Sequence, residues 1–170
     1  MNDAAGKKKR AVVFVVILIV AVLLLCVALT MIPQHTTPEY AVETYDELAE
    51  KVRGLCSLPE KSMLAGTDLS CIVYVKSRFS NKVVGYLVSF TPQDGCAKRI
   101  TVSCKFLSEL PEGSGSIPTT ETSGEVGIWV NKEHLCFILD DCRYDIHGVT
   151  ASESFLQTAR GLAGSIIDAG

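Results

Sequence analysis

Catalytic signatures are what this 170-residue chain lacks. It carries no G-x-S-x-G elbow, no Walker-type phosphate loop, no dinucleotide fingerprint, no H-E-x-x-H helix and no C-x-x-C pair. The hydrolase, nucleotide-binding, metalloprotease and dithiol sites that announce themselves by spacing are therefore excluded in those forms. Aromatic residues are scarce at 7%, with a single Trp, and only three His are present. No Asn-x-Ser/Thr acceptor occurs, so nothing marks the chain for N-glycosylation. Excess positive charge is missing too: beyond residue 32 there are 12 Lys or Arg against 18 Asp or Glu, a net charge of −6. An acidic balance gives no electrostatic reason to expect a nucleic-acid partner.

What is present begins with a run from Ala11 to Ile32, 22 residues without a charge, sixteen of them Val, Leu, Ile or Phe. At roughly −0.3 to −0.6 kcal/mol each on an insertion scale, these sixteen favour a bilayer by about 5 to 10 kcal/mol. As a helix the run would measure about 33 Å, against a hydrocarbon core of roughly 30 Å. Lys7, Lys8, Lys9 and Arg10 precede it and no similar cluster follows, so the positive-inside rule keeps the N-terminus in the cytoplasm. A cleaved signal fits less well, because its apolar region is typically 7–15 residues and no clean small-x-small site follows. Lipidation at Cys26 would need a small residue before it, where Leu25 stands. The expected organisation is a basic cytoplasmic tail over 1–10, a signal-anchor transmembrane helix over 11–32, a stalk over 33–38 and an extracytoplasmic domain over 39–170. This places the protein in a cell membrane as a single-pass chain, with the lipid bilayer as partner of residues 11–32.

The exported part is long enough for one domain with its own core. Ala41, Val42, Tyr45, Leu48, Ala49, Val52 and Leu55 recur at helical spacing, with charges on the other face. From Leu69 the period becomes two, giving strands over 69–77, 82–90 and 99–107. Residues 111–124, rich in Gly, Ser, Thr, Glu and Pro, read as a loop. Strands resume at 125–130, 134–139 and 142–147. Thr150-Ala-Ser-Glu153 has the form of a capping box, opening a helix whose stripe is Phe155, Leu156, Ala159, Leu162, Ala163, Ile166 and Ile167. The fold class expected is α+β: a transmembrane helix, then an α-β-α domain of about six antiparallel strands with helices on one face.

One constellation carries chemistry. If Asp140-Asp141 is the tip of a two-residue hairpin, residues whose numbers sum to 281 stand opposite one another. Cys136 then faces Asp145 and His134 faces His147, four zinc- or copper-type ligands on one patch. The competing reading is an ordinary polar outer face, shared with Ile138 and Arg143. Six cysteines lie in the exported part, Cys56, Cys71, Cys96, Cys104, Cys136 and Cys142, and spacing alone leaves their 15 pairings open. Cys96, beside Gly95 in a turn, is expected to be the most exposed thiol. Cys136 and Cys142 fall on opposite faces, which argues against a bridge between them.

The stretch 125–167, with its Trp strand, polar hairpin, Tyr-x-Ile-x-Gly exit and Ser/Thr-led helix, resembles small exported domains of unknown function in membrane-anchored Gram-positive bacterial proteins. That resemblance implies a bacterial envelope setting and brings no catalytic residues and no cofactor. The expected function is a membrane-anchored, non-enzymatic interaction or sensing module, with a protein partner in the cell envelope. The alternatives are a cell-envelope enzyme with a dispersed site, or a metal- or redox-handling envelope protein.

Overall fold

A computed structural model describes residues 17–22, 38–77, 80–111, 113 and 115–170. The chain divides into two compact units, Met1–Thr36 and Thr37–Gly170. In the first, residues 17–22 are helical with exposed apolar side chains.

The second unit is built on alternation. Strands β1 (Glu39–Ala41), β2 (Asp68–Lys76), β3 (Val83–Thr91) and β4 (Arg99–Phe106) form an antiparallel meander. The chain then crosses to the far edge and returns through β5 (Glu121–Ser123), β6 (Val126–Val130), β7 (His134–Leu139) and β8 (Cys142–Val149), where β8 pairs with β4. The result is one eight-stranded sheet in the order β1-β2-β3-β4-β8-β7-β6-β5. Both edge strands are only three residues long, which limits the unpaired backbone offered to another chain.

Helix α1 (Tyr45–Val52) starts where the Thr44 hydroxyl accepts from the Glu47 amide at 3.2 Å. Helix α2 (Phe155–Ala169) is the long one. Leu48 and Val52 of α1 join Phe155, Ala159, Leu162 and Ile166 of α2 in one core with Val88, Ile100, Val102, Phe137 and Ile146 of the sheet. Both helices therefore cover the same sheet face. Those five sheet residues stand on alternate positions of their strands, as a half-buried sheet requires.

Several expectations need correction. The domain is mainly an eight-stranded antiparallel sheet with few helices, not an α+β domain of about six strands. Among the described residues no helix is long and apolar enough to cross a membrane. The transmembrane anchor over 11–32 is thus not shown, and the single-pass cell-membrane placement with a cytoplasmic N-terminus loses its support. The basic tail over 1–10, residues 11–16 and 23–32 of the run, and the stalk over 33–37 lie outside the described residues.

The missed strands are the two edges. The spacing assigns Ala41 to the first helix, but Glu39–Ala41 extends along β2, where the Tyr40 ring stacks on Tyr74 at 5.3 Å. Residues 121–123 sit in a segment without apolar periodicity and become a strand only because β6 supplies their ladder. The capping box at Thr150 does not form either. Thr150 takes a left-handed φ of 54° to turn the chain off β8, and α2 begins after Ser154 without a side-chain cap. The Ser152 hydroxyl instead donates to the Cys96 carbonyl at 2.9 Å.

That turn lets Phe155 fold back over Gly148, where an added Cβ would lie 2.7 Å from the Phe155 ring. Gly148→Ala is expected to lower unfolding stability by about 1–3 kcal/mol, the cost of overpacking. Gly164→Ala, with nothing within 4 Å of the new carbon, is expected to raise it by about 0.5–1 kcal/mol through helix propensity. Urea unfolding midpoints of the two variants check both signs.

Candidate metal centre

The centre of interest follows from the two-residue turn between β7 and β8. Asp140 and Asp141 both adopt positive φ, 49° and 60°, the pairing of a type I′ two-residue hairpin. Aspartate tolerates this region better than most side chains. The register that follows sets Leu139 opposite Cys142, Cys136 opposite Asp145 and His134 opposite His147. The Gly148 amide donates to the Glu133 carbonyl at 2.9 Å, which makes that pair a hydrogen-bonded one. By alternation, Cys136/Asp145 and His134/His147 are non-hydrogen-bonded pairs, whose side chains approach most closely. They project from the face opposite the helices.

His134, Cys136 and Asp145 each bring one ligand atom to this place, and the three atoms lie within 4.8 Å of one another. His134 Nε2 and Asp145 Oδ1 are 2.8 Å apart. Arg143, two residues before Asp145 on the same strand, donates from Nε to Asp145 Oδ2 at 3.0 Å and from Nη2 to Oδ1 at 3.1 Å. Trp129, directly across from Cys136, sets its ring edge-on to His134 at 5.3 Å. The His134 and Asp145 side chains are 24% and 29% exposed, so solvent reaches them, while Cys136 is 1% exposed. Of the four residues singled out, three converge. His147 is exposed beside them, its ring 6.1 Å from that of His134, outside the group of three.

The electrostatics are those of a partly desolvated anion held by hydrogen-bond donors, one of them the Arg143 guanidinium. Burial pushes the Asp145 carboxyl up, but hydrogen bonds from His134 and Arg143 outweigh it and leave it below the usual range. Burial raises the Cys136 thiol; the Asp145 charge adds to this and Arg143 opposes it. Imidazole, thiol and carboxylate form a mixed N, S, O donor set suited to zinc or copper. Zinc with ligands at about 2.0–2.3 Å separates them by roughly 3.3–3.8 Å, so closing on an ion requires side-chain shifts on the order of 1 Å.

On the helix-covered face the structure gathers thiols that spacing does not reveal. Cys104 of β4 has the thiols of Cys142 and Cys56 as neighbours, and these, with burial, push its own thiol up. Cys104 in turn pulls the Cys142 thiol down. Residues 56, 104 and 142 belong to a turn and two strands; the β4–β8 pairing joins the last two, and the segment after α1 brings in the first. Cys96 proves to be buried at 1% exposure, because the Asp94 carboxylate accepts from the Cys96 amide at 3.0 Å and folds the turn inward.

No family model matches this chain, and comparison with curated proteins and with solved structures yields no match. The fold and site define an antiparallel-sheet domain with a mixed-donor cluster on one face and a thiol cluster on the other.

Since the folded carboxyl of Asp145 is held below its unfolded value, its contribution to stability is present above about pH 4 and disappears as pH falls through the folded value. Asp145→Asn should therefore destabilise the protein near neutrality by about 1–3 kcal/mol, by unpairing Arg143 and His134. That gap should close when urea unfolding is repeated toward pH 2.

Proposed function

We propose that this is a non-enzymatic sensing or interaction domain that binds a zinc or copper ion through His134, Cys136 and Asp145. The observation that carries the reading is the convergence of three different donor types from two paired strands within 4.8 Å. Neighbouring groups support it. Arg143 holds the second Asp145 oxygen, and the Trp129 ring braces the imidazole, so both ligands are oriented by outer partners as metal ligands commonly are. Cys136 is screened from water, which protects a thiolate from oxidation once an ion replaces its proton. Three protein ligands on a partly exposed patch leave a position open to water, to His147 or to a group on a partner. Occupancy of the ion then becomes the signal or the adhesive.

The test is zinc and copper titration of the full chain against a chromophoric chelator, with native mass spectrometry to count ions. One ion per chain is expected, with proton release on binding, because thiol and imidazole must give up protons. Cys136→Ser and His134→Ala should each weaken affinity by about 100-fold or more, and Arg143→Ala by about 10–100-fold. Cobalt loading should show a thiolate-to-metal charge-transfer band that Cys136→Ser removes. Equal affinity in wild type and Cys136→Ser would refute the assignment.

A further inference from the structure

On the other face, Tyr86, Cys104 and Tyr144 stand directly opposite one another on β3, β4 and β8. All three side chains are in the core beneath the helices. Above this row lies the turn that follows α1. The Ser57 amide donates to the Tyr144 hydroxyl at 2.9 Å, and the Tyr86 hydroxyl donates to the Ser57 carbonyl at 3.0 Å. The two rings that flank Cys104 thus pin the residue next to Cys56, which holds Cys56 in the neighbourhood of Cys104. Cys142 completes the group and points its sulfur at the Leu55 carbonyl, 3.9 Å away. A cleft of about 460 Å³, lined by Leu55, Phe106, Leu107, Ser108, Asp140 and Asp141, opens at this end of the sheet. Its lining includes the chain neighbours of both Cys56 and Cys142, and of the three cysteines Cys56 is the one that solvent reaches.

We propose that Cys56 and Cys104 form a thiol–disulfide exchange site that is bridged by a small-molecule disulfide of the glutathione type. Two thiols neighbour Cys104, and chain geometry selects between them. Cys104 and Cys142 are diagonal neighbours in an antiparallel ladder, at Cα separations of about 7–8 Å, beyond the 4.4–6.8 Å span of a disulfide. Cys56 belongs to no ladder and can approach. It is also the half-exposed member of the group, which makes it the point of entry.

The chemistry balances as an exchange. The Cys56 thiolate, its proton lost to water, attacks one sulfur of R–S–S–R; the Cys56–S–S–R bond forms, and RS⁻ leaves and takes up a proton. Cys104 then attacks the Cys56 sulfur, its own proton passing to the second departing RS⁻. The two cysteines lose two electrons and two protons, and one small disulfide becomes two thiols. The bridge would staple the end of α1 to the middle of the sheet, across a loop of nearly fifty residues. This site shares no residue with the metal cluster, so either can fail alone.

The test equilibrates the reduced full chain with oxidised and reduced glutathione, quenches in acid, alkylates and maps peptides by mass spectrometry. A Cys56–Cys104 linked peptide is expected, lighter by two hydrogens than the reduced pair, with the unfolding temperature raised by about 5 °C or more. Cys104→Ser should stop the reaction at glutathionylated Cys56, while Cys142→Ser should leave the bridge intact. Should Cys104→Ser not fold, Cys56→Ser must leave Cys104 unmodified. A Cys104–Cys142 bridge, or no bridge at any glutathione ratio, overturns the proposal.

Discussion

The pairing of β7 with β8 is the constraint on which the chemistry of this domain rests. Strand side chains alternate with a period of two, so sliding one strand by a single residue sends every side chain to the other face. With Cys136 opposite Asp145, the core receives Leu135, Phe137, Tyr144 and Ile146, and the opposite face receives the imidazole, thiol and carboxylate. A slip would turn Asp145 toward the core and expose Phe137, the second alone costing about 1.5–3 kcal/mol. The hydrophobic core and the polar cluster are therefore specified together. Neither can be moved without the other.

The two-residue turn at Asp140-Asp141 sits at the origin of this register, and β8 carries it into the middle of the sheet. There β8 meets β4, which is why Cys104 lies between Tyr86 and Tyr144. Each face then gathers a different set of reactive groups. One holds charges that satisfy one another, with Asp145 between His134 and Arg143. The other holds thiols and phenols in a dry setting, tied to the turn after α1 through Ser57. The helices pack on the second face, leaving the mixed-donor cluster partly open to solvent.

How much of this was legible in the chain depends on how local each signal is. The alternation of Ile100, Val102, Cys104 and Phe106 and the stripe from Phe155 to Ile167 are local, and the strand and helix stand where they were expected. The hairpin arithmetic was legible as well, since a two-residue loop leaves one register. Signals that need a distant partner were not. Tyr40 and Ala41 become a strand only against β2, and Glu121–Ser123 only against β6. Cys56 and Cys104 are brought together by packing of the segment after α1, which no spacing records. Cys96 was misjudged because Asp94 turns it inward through a local hydrogen bond that composition does not show. The apolar run at 11–32 read as a membrane span on length and hydropathy, yet no helix among the described residues meets those criteria.

The register itself can be observed directly. Non-hydrogen-bonded pairs of an antiparallel ladder bring their Hα atoms close together, while hydrogen-bonded pairs hold them apart. In nuclear Overhauser spectra of the isotope-labelled full chain, strong Hα–Hα contacts are expected between Cys136 and Asp145 and between His134 and His147. Strong contacts for Phe137 with Tyr144 and Leu135 with Ile146 in their place, or for pairs displaced by one residue, would contradict the account and disperse the proposed metal centre.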